Sequence, residues 1–190
     1  TGAKIIAIER DRDMVAHLQS HFANAANLQI VAADAGKLDY QIYGTELVVA
    51  GNLPYHLSSR ILVSLSEQAP SILRAVVMLQ KEVAERLVAP AGCKAYGLLT
   101  VLVTREFRPT LLEVIDRQAF FPRPRVDSAL VHLERYHVAQ EKLAFAEYSH
   151  IARAAFSSRR KTLRNALSGA LGLTPGAVEV ALFSSGIDPI

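Results

Sequence analysis

The chain has 190 residues, 51% of them hydrophobic, and 21 basic against 18 acidic side chains give a formal net charge of +3. This ordinary globular composition predicts one full hydrophobic core with room for a small second unit. Cys93 is the only cysteine, which excludes an internal disulfide and argues against a cysteine-based metal site, so we predict no metal. Because there is no signal peptide and no apolar run of about 18 residues, we expect a cytoplasmic monomer without membrane contact.

The first two predicted strands both lead to an acidic residue. The apolar run 4–8 ends at Glu9, and the run 28–32 ends just before Asp34. Open α/β sheets bind ligands at the carboxyl ends of their strands, where Glu9 could accept hydrogen bonds from ribose hydroxyls. Asp34 could accept a hydrogen bond from an adenine amine while the Ala35 N–H donates to a ring nitrogen. Taken singly, each carboxylate is more often a solvated or turn-capping residue.

The third predicted strand, residues 47–50, leads into Asn52-Leu53-Pro54-Tyr55. The continuous apolar run predicts a strand buried on both faces. Pro54 biases Leu53 towards extended backbone, so the Leu53 carbonyl and the Asn52 side chain can point the same way. Two acceptors beside the Tyr55 ring suit a planar base whose exocyclic amine is held out of the ring plane, which restores part of its lone pair. The alternative is an ordinary turn whose tyrosine covers the core.

The pattern up to residue 138 continues to alternate helices and strands. A proline-stiffened loop at 120–128 contains two aromatic rings, one of which we expect to be buried, and two arginines, Arg123 and Arg125. The other predicted elements are helices over 11–22, 58–68 and 80–88 and strands over 75–79, 98–104, 111–114 and 128–133.

From about residue 139 the periodicity becomes helical and the charge becomes basic. No acidic residue lies between Tyr148 and Val178. Apolar stripes predict a helix that ends near Phe156 and a second one over 163–171. Cations at the start of the second helix would oppose its dipole, which favours a phosphate-bearing partner, with a solvated basic face as the alternative. The cations near that helix start are Arg159, Arg160, Lys161 and Arg164, and Arg153 adds to the same basic stretch.

Four motifs stand in order along nearly the whole chain. They are Asn52-Leu53-Pro54-Tyr55, the paired segments 80–87 and 94–97, Phe120-x-Pro122-x-Pro124-x-Val126-x-Ser128, and Phe156-x-x-Arg159-Arg160-Lys161. Each alone is weak, but together they resemble the rRNA adenine N6-dimethyltransferases of the KsgA type. The resemblance implies an α/β fold, with a class I, Rossmann-like methyltransferase domain over 1–138 and a small all-helical rRNA-binding domain over 139–190.

The resemblance also implies a reaction and the residues that serve it. The family transfers methyl groups from S-adenosylmethionine to two adjacent adenosines near the 3′ end of small-subunit rRNA, in the immature 30S subunit. By this similarity Glu9 matches the residue on the cofactor ribose and Asp34, with Ala35, the residue at the cofactor adenine. Asn52 matches the residue where the cofactor meets the target amine.

The same similarity assigns the contacts to the target base. The Leu53 carbonyl, held by Pro54, and the Tyr55 ring match the target-adenine contacts. Phe120, and not Phe121, matches the aromatic residue that packs on a base flipped out of its stack.

The chain also departs from the family at both ends. It starts at what would be the second strand, so the first strand and the glycine-rich cofactor loop are missing, and the last helix is missing too. We therefore expect a fragment that is inactive by itself because it binds the cofactor weakly or not at all.

Three rival functions stay open at this point. A nicotinamide dehydrogenase would also place Glu9 on a ribose, but it has no use for the loop at 52–55. A binding-only ribosome-assembly factor would show salt-dependent RNA binding without methyl transfer. A large-subunit rRNA methyltransferase of the macrolide-resistance type shares the loop, although Lys94-Ala95-Tyr96-Gly97 and the helical tail favour the small-subunit enzyme.

Overall fold

The computed structural model describes residues 2–136 and 143–189. In this part of the chain strands and helices are interspersed over the first 135 residues, and only helices follow. The strands are β1 (Ile5–Glu9), β2 (Leu28–Ala32), β3 (Leu47–Asn52), β4 (Ile72–Gln80), β5 (Phe107–Ile115) and β6 (Ser128–Arg135). The helices are α1 (Arg12–His21), α2 (Ser58–Glu67), α3 (Lys81–Leu87), α4 (Leu98–Thr104), α5 (Phe145–Ala155), α6 (Leu163–Leu171) and α7 (Pro175–Ser184).

The strands form two sheets with a cleft between them. β1 and β2 pair in parallel, while the other sheet has the order β3-β4-β6-β5, with β3 and β4 parallel and β6 antiparallel to both its neighbours. The cleft has a volume of about 900 Å³ and is lined along the whole lengths of β1 and β3. A gap at this place is what a doubly wound sheet leaves when it lacks its first, central strand. The predicted α/β fold is therefore confirmed, with its strands divided between two sheets.

Two predictions about individual elements were wrong. Residues 98–104 form the helix α4 and not a strand, because an apolar run of seven residues suits either element and only packing separates them. Thr100 Oγ1 donates to the Arg86 carbonyl at 2.7 Å and so ties α4 to the end of α3. In β3 the predicted burial on both faces fails, since Val48 is 59% exposed while Leu47 and Val49 pack on the core.

The helical part has its own small core. Ala154, Leu167, Val178 and Leu182 form a buried cluster separate from the larger cluster of the α/β part. The helix α7 was not predicted, although Thr174 is a recognisable cap whose Oγ1 accepts from the Ala177 N–H at 3.3 Å. The predicted domain boundary after residue 138 lies outside the described residues.

The two parts are joined where α4 meets α5. The Arg105 guanidinium lies 4.3 Å from the centre of the Tyr148 ring, and the Tyr148 hydroxyl donates to the Val101 carbonyl at 3.4 Å. A guanidinium held over an aromatic face between two helices restrains their relative position. No helix among the described residues is long and apolar enough to cross a lipid bilayer.

Candidate active site

The loop that follows β3 begins at the carboxyl end of the sheet. Asn52 is the last residue of β3, opposite Met78 of β4, and its side chain is exposed. Leu53 is buried, and its N–H donates to the Met78 carbonyl at 3.1 Å. Pro54 then turns the chain into α2, since its carbonyl accepts from the Leu57 N–H at 2.9 Å. The Asn52 amide is therefore presented at the mouth of the cleft on a backbone anchored at its next residue.

Tyr55 is hydrogen-bonded to the first residue of β6 and to the first residue of α2. Its hydroxyl lies 2.8 Å from the Ser128 Oγ, and its carbonyl accepts from the Ser58 Oγ at 3.0 Å. Ser128 is fully buried as the first residue of β6, opposite Gln80 of β4. These bonds hold the half-buried Tyr55 ring against the sheet edge at which β3 and β4 end.

Glu9 ends β1 at the same edge. Its Oε1 accepts from the N–H groups of Arg10 and Asp11, at 2.6 and 2.8 Å. Two backbone donors on one oxygen orient the carboxylate, and they leave Oε2 for other donors. The oriented Glu9 carboxylate is thus suited to accepting hydrogen bonds from a pair of vicinal hydroxyls.

Both carboxylate oxygens of Asp34 accept hydrogen bonds within the protein, which the sequence does not predict. Its Oδ1 accepts from the Gly36 N–H at 2.9 Å, and its Oδ2 accepts from Arg60 Nη2 at 2.5 Å. The Gly36 hydrogen bond lowers the pKa of Asp34 most, burial opposes that shift, and Arg60 and then Arg10 lower the pKa further. The carboxylate is therefore ionised at neutral pH and acts only as an acceptor.

The turn that contains Asp34 is shaped by two residues that sequence reasoning missed. The Arg60 side chain lies so close to Gly36 that a Cβ there would be 2.6 Å from Arg60 Nε. Tyr40 is buried, and its hydroxyl donates to the Ala35 carbonyl at 2.7 Å. Burial, and then the charge of Asp34, raise the pKa of Tyr40 to about 12. Neither residue belongs to a recognisable motif, so neither interaction could be inferred from local sequence.

The cleft brings together the polar residues that end three different strands. Its lining includes Glu9, Asp34, Ala35, Asn52, Leu53 and Pro54. The Tyr55 and Phe120 rings are not part of this lining. The arrangement can hold a ligand with vicinal hydroxyls at one end and place an amine against the Asn52 oxygen at the other.

The proline-rich loop between β5 and β6 is anchored at both ends. Arg117 donates from its backbone N–H to Asp127 Oδ1 at 3.2 Å and from Nη1 to the Arg125 carbonyl at 3.1 Å. Phe120 is half-buried, whereas Phe121 is 102% exposed. The expectation that one of the two rings is buried is therefore met only in part, since Phe120 is half-buried and Phe121 is exposed.

The basic residues of the helical part do not lie on one face of a single helix. Arg159, Arg160 and Lys161 lie in the turn before α6, which begins at Leu163, so the predicted conflict with its dipole applies only to Arg164. Arg164 Nη1 donates to Glu179 Oε2 at 3.1 Å, which pairs α6 with α7.

The other predicted RNA-binding arginines are exposed. They are Arg123 and Arg125 in the proline-rich loop and Arg153 in α5. No group of three or more His, Cys, Asp or Glu side chains suited to a metal ion occurs within 2–136 and 143–189.

Comparison with known proteins gives consistent results. The sequence model of the family described as ribosomal RNA adenine dimethylase matches residues 3–188. The protein named ribosomal RNA small subunit methyltransferase A of Anaeromyxobacter dehalogenans (strain 2CP-C) is 38% identical over 200 residues, covering 99% of this chain and 70% of its own. Its namesake from Myxococcus xanthus (strain DK1622) is 40% identical over 194 residues, covering 100% of this chain and 68% of its own.

Two solved structures are similar along almost the whole chain. A dimethyladenosine transferase from Plasmodium falciparum superposes with a TM-score of 0.73 at 28% identity, covering 98% of this chain and 68% of its own. The 23S rRNA methyltransferase ErmE superposes with a TM-score of 0.66 at 25% identity, covering 98% of this chain and 74% of its own. The chain thus spans about 70% of the length of such relatives.

Proposed function

This chain belongs to the ribosomal RNA adenine dimethylase family, and on that premise we propose that it transfers methyl groups from S-adenosylmethionine to rRNA adenine N6 amines. The proposed targets are two adjacent adenosines near the 3′ end of small-subunit rRNA in the immature 30S subunit, in the cytoplasm, with the protein acting as a monomer. The observation that supports this most directly is the cleft that joins Glu9, Asp34 and Asn52.

The described residues fit the cofactor in chemistry, because the carboxylates of Glu9 and Asp34 and the amide of Asn52 line one cleft. We propose that Glu9 Oε2 accepts from the ribose hydroxyls. We further propose that Asp34, which has lone pairs beyond those used by Gly36 and Arg60, accepts from the adenine amine next to Ala35. When bound, S-adenosylmethionine supplies a methyl group activated by a sulfonium charge.

The loop after β3 is proposed to prepare the target amine. The Asn52 side-chain oxygen and the Leu53 carbonyl accept its two N–H hydrogens, while the Tyr55 ring packs on the base. Holding both hydrogens away from the ring plane keeps the nitrogen lone pair directed at the methyl group, so the chain contributes orientation and not a strong base. Phe120 is proposed to pack on the flipped base.

Exposed basic side chains supply the proposed contacts to the RNA backbone. These are Arg123 and Arg125 beside the two phenylalanines and Arg153, Arg159, Arg160 and Lys161 in the helical part. Arg164 contributes less in this proposal, because its guanidinium is already paired with Glu179. Phosphate contacts position an RNA without selecting its sequence, so the choice of adenosine is left to the pocket.

A methyl-transfer assay tests the proposal. Small ribosomal subunits that lack the modification are incubated with labelled S-adenosylmethionine and either this chain or a chimera in which the glycine-rich N-terminal segment of a family member is fused ahead of it. We expect the chimera to form dimethyladenosine, detected by nucleoside mass spectrometry, and this chain alone to be much less active. Asn52→Ala in the chimera should lower the rate by roughly 100-fold.

Asn24→Ala is the matched control, since it removes an exposed amide that does not line the cleft. It should leave the rate unchanged. If the chimera folds and binds the subunit in a salt-sensitive way but transfers no methyl group, a non-catalytic assembly factor replaces this proposal. If the chimera methylates large ribosomal subunits supplied in a parallel reaction but not small ones, it is of the macrolide-resistance type instead.

A further inference from the structure

A second cleft lies where the α/β part meets the helical part. It has a volume of about 990 Å³ and is lined by residues 94–100 on one side and by 155, 156, 158 and 159 on the other. We call it the Tyr96 cleft. It shares no lining residue with the cleft that joins Glu9 and Asn52. Two motifs that are far apart in the sequence, at 94–97 and 156–161, thus face each other here.

Two aromatic rings stand in this cleft. The centres of the Tyr96 and Phe156 rings are 6.3 Å apart, with 46° between the ring planes, and Phe156 is 41% exposed. A ring pair that served only to dock the two parts would be closed and buried. Docking is already provided by Arg105 and Tyr148. The open rings are therefore available to stack on a flat ligand.

The charge of the cleft suits a phosphate beside that flat ligand. Among its charged lining residues, Arg86 is paired with Glu82. Lys94 and Arg159 are exposed and have no ion pair within the described part of the chain, which leaves two cations against the single carboxylate of Glu85. Exposed aromatic faces combined with cations are the elements with which proteins hold unpaired nucleotides.

We propose that the Tyr96 cleft binds one unpaired nucleotide of the RNA substrate, distinct from the target adenosine. Its base stacks on Tyr96 or Phe156, its phosphate lies between Lys94 and Arg159, and Glu85 accepts from the base edge. The choice of RNA as the occupant rests on the proposed function. Such a contact fixes the RNA at the junction of the two parts while the target base is presented elsewhere.

Fluorescence anisotropy with a labelled, unstructured oligoadenylate tests this proposal without involving methyl transfer. Tyr96→Leu and Phe156→Leu should each weaken binding roughly 5- to 150-fold, as the loss of one stacked base predicts. Tyr96→Phe retains the ring and should bind like the parent. Lys94→Gln should reduce the slope of log affinity against log salt by about 0.7, the value for one phosphate contact with a single strand.

Arg12→Gln is the control, because it removes an exposed cation at the start of α1 that lines neither cleft. It should change neither affinity nor slope. Leucine variants that melt like the parent and bind oligoadenylate equally well would overturn the proposal, and the rings would then serve only to pack the two parts.

If the leucine variants fail to fold, Lys94→Gln still tests the proposal, because the exposed Lys94 amine has no packing role. An unchanged slope of log affinity against log salt is incompatible with a phosphate contact. A chain that binds no oligoadenylate at any salt concentration also overturns the proposal. A chimera that shows these binding effects but transfers no methyl group contradicts the proposed function and leaves the nucleotide site in place.

Discussion

The Tyr55 hydroxyl and the Ser128 Oγ lie 2.8 Å apart although 73 positions separate them in the chain. One belongs to the loop after β3 and the other begins β6, so the bond joins the loop that carries Asn52 to the end of the proline-rich loop that carries Phe120. Ser128 is fully buried, and a buried hydroxyl needs a hydrogen-bond partner within the protein. The Tyr55 hydroxyl is that partner. This bond sets the position of the Tyr55 ring.

The stability losses from breaking this bond at its two ends should not be additive. Tyr55→Phe retains the ring but removes the hydroxyl that is hydrogen-bonded to the buried Ser128. This loss should lower the free energy of unfolding by about 1 to 3 kcal/mol. The double variant Tyr55→Phe with Ser128→Ala should lose less than the sum of the two single losses. Urea unfolding of all four proteins measures the coupling, and strictly additive losses would contradict it.

The pKa of Asp34 should respond only in part to the loss of Arg60. The Gly36 N–H is the main cause of the lowered pKa, so Arg60→Gln should raise the pKa but leave it below the ordinary value. A lowered pKa means that this carboxylate stabilises the fold above its ordinary pKa and that the stabilisation is lost as pH falls through the lowered one. Carboxyl carbon NMR shifts followed against pH test this, and a full return to the ordinary pKa would show that Arg60 dominates.

Tyr40 should be a late-titrating tyrosine. Burial raises its pKa from 10.0 to about 12, so the folded state retains a proton that the unfolded state has already lost between these values. Stability is therefore complete below about pH 10 and falls as pH rises towards 12. Phenolate absorbance should show a late-titrating amplitude that Tyr40→Phe reduces by one tyrosine. Tyr148, whose pKa is also raised by burial, should still titrate late in that variant.

Alanine substitutions at Phe121 and at Phe107 should differ in their effect on the free energy of unfolding. Phe121 is 102% exposed, so Phe121→Ala should change the free energy of unfolding by less than about 0.5 kcal/mol. The proposed function places Phe120 on the flipped base, and we expect the exposed Phe121 ring beside it to stack on a neighbouring base, so Phe121→Ala should weaken RNA binding by roughly 1 to 3 kcal/mol. Phe107 is fully buried in β5, and Phe107→Ala should cost about 3 to 5 kcal/mol of stability.

Thermal unfolding and anisotropy with the same oligoadenylate measure both effects for the two variants. A large loss of stability in Phe121→Ala would mean that the ring packs on the fold in solution. An unchanged affinity would remove Phe121 from the RNA surface while leaving its neighbour Phe120 untouched.

Much of the local structure was determined by the sequence alone. β1 ends at Glu9, β2 spans Leu28–Ala32 and α1 follows Asp11, as predicted. These features depend on neighbours a few positions away, because a cap or an apolar period acts within one or two turns. The family membership was equally accessible, since four ordered motifs need no coordinates.

Tertiary structure decided what depends on distant partners. The run 98–104 forms a helix that Thr100 ties to the Arg86 carbonyl. Arg60 is part of the site because α2 places it on Asp34. The bond between Tyr55 and Ser128 and the facing rings of Tyr96 and Phe156 likewise join segments that no local pattern connects. The sequence thus determined which residue types end each strand, whereas chain packing determined which of them meet, because contacts between distant segments exist only once the core has formed.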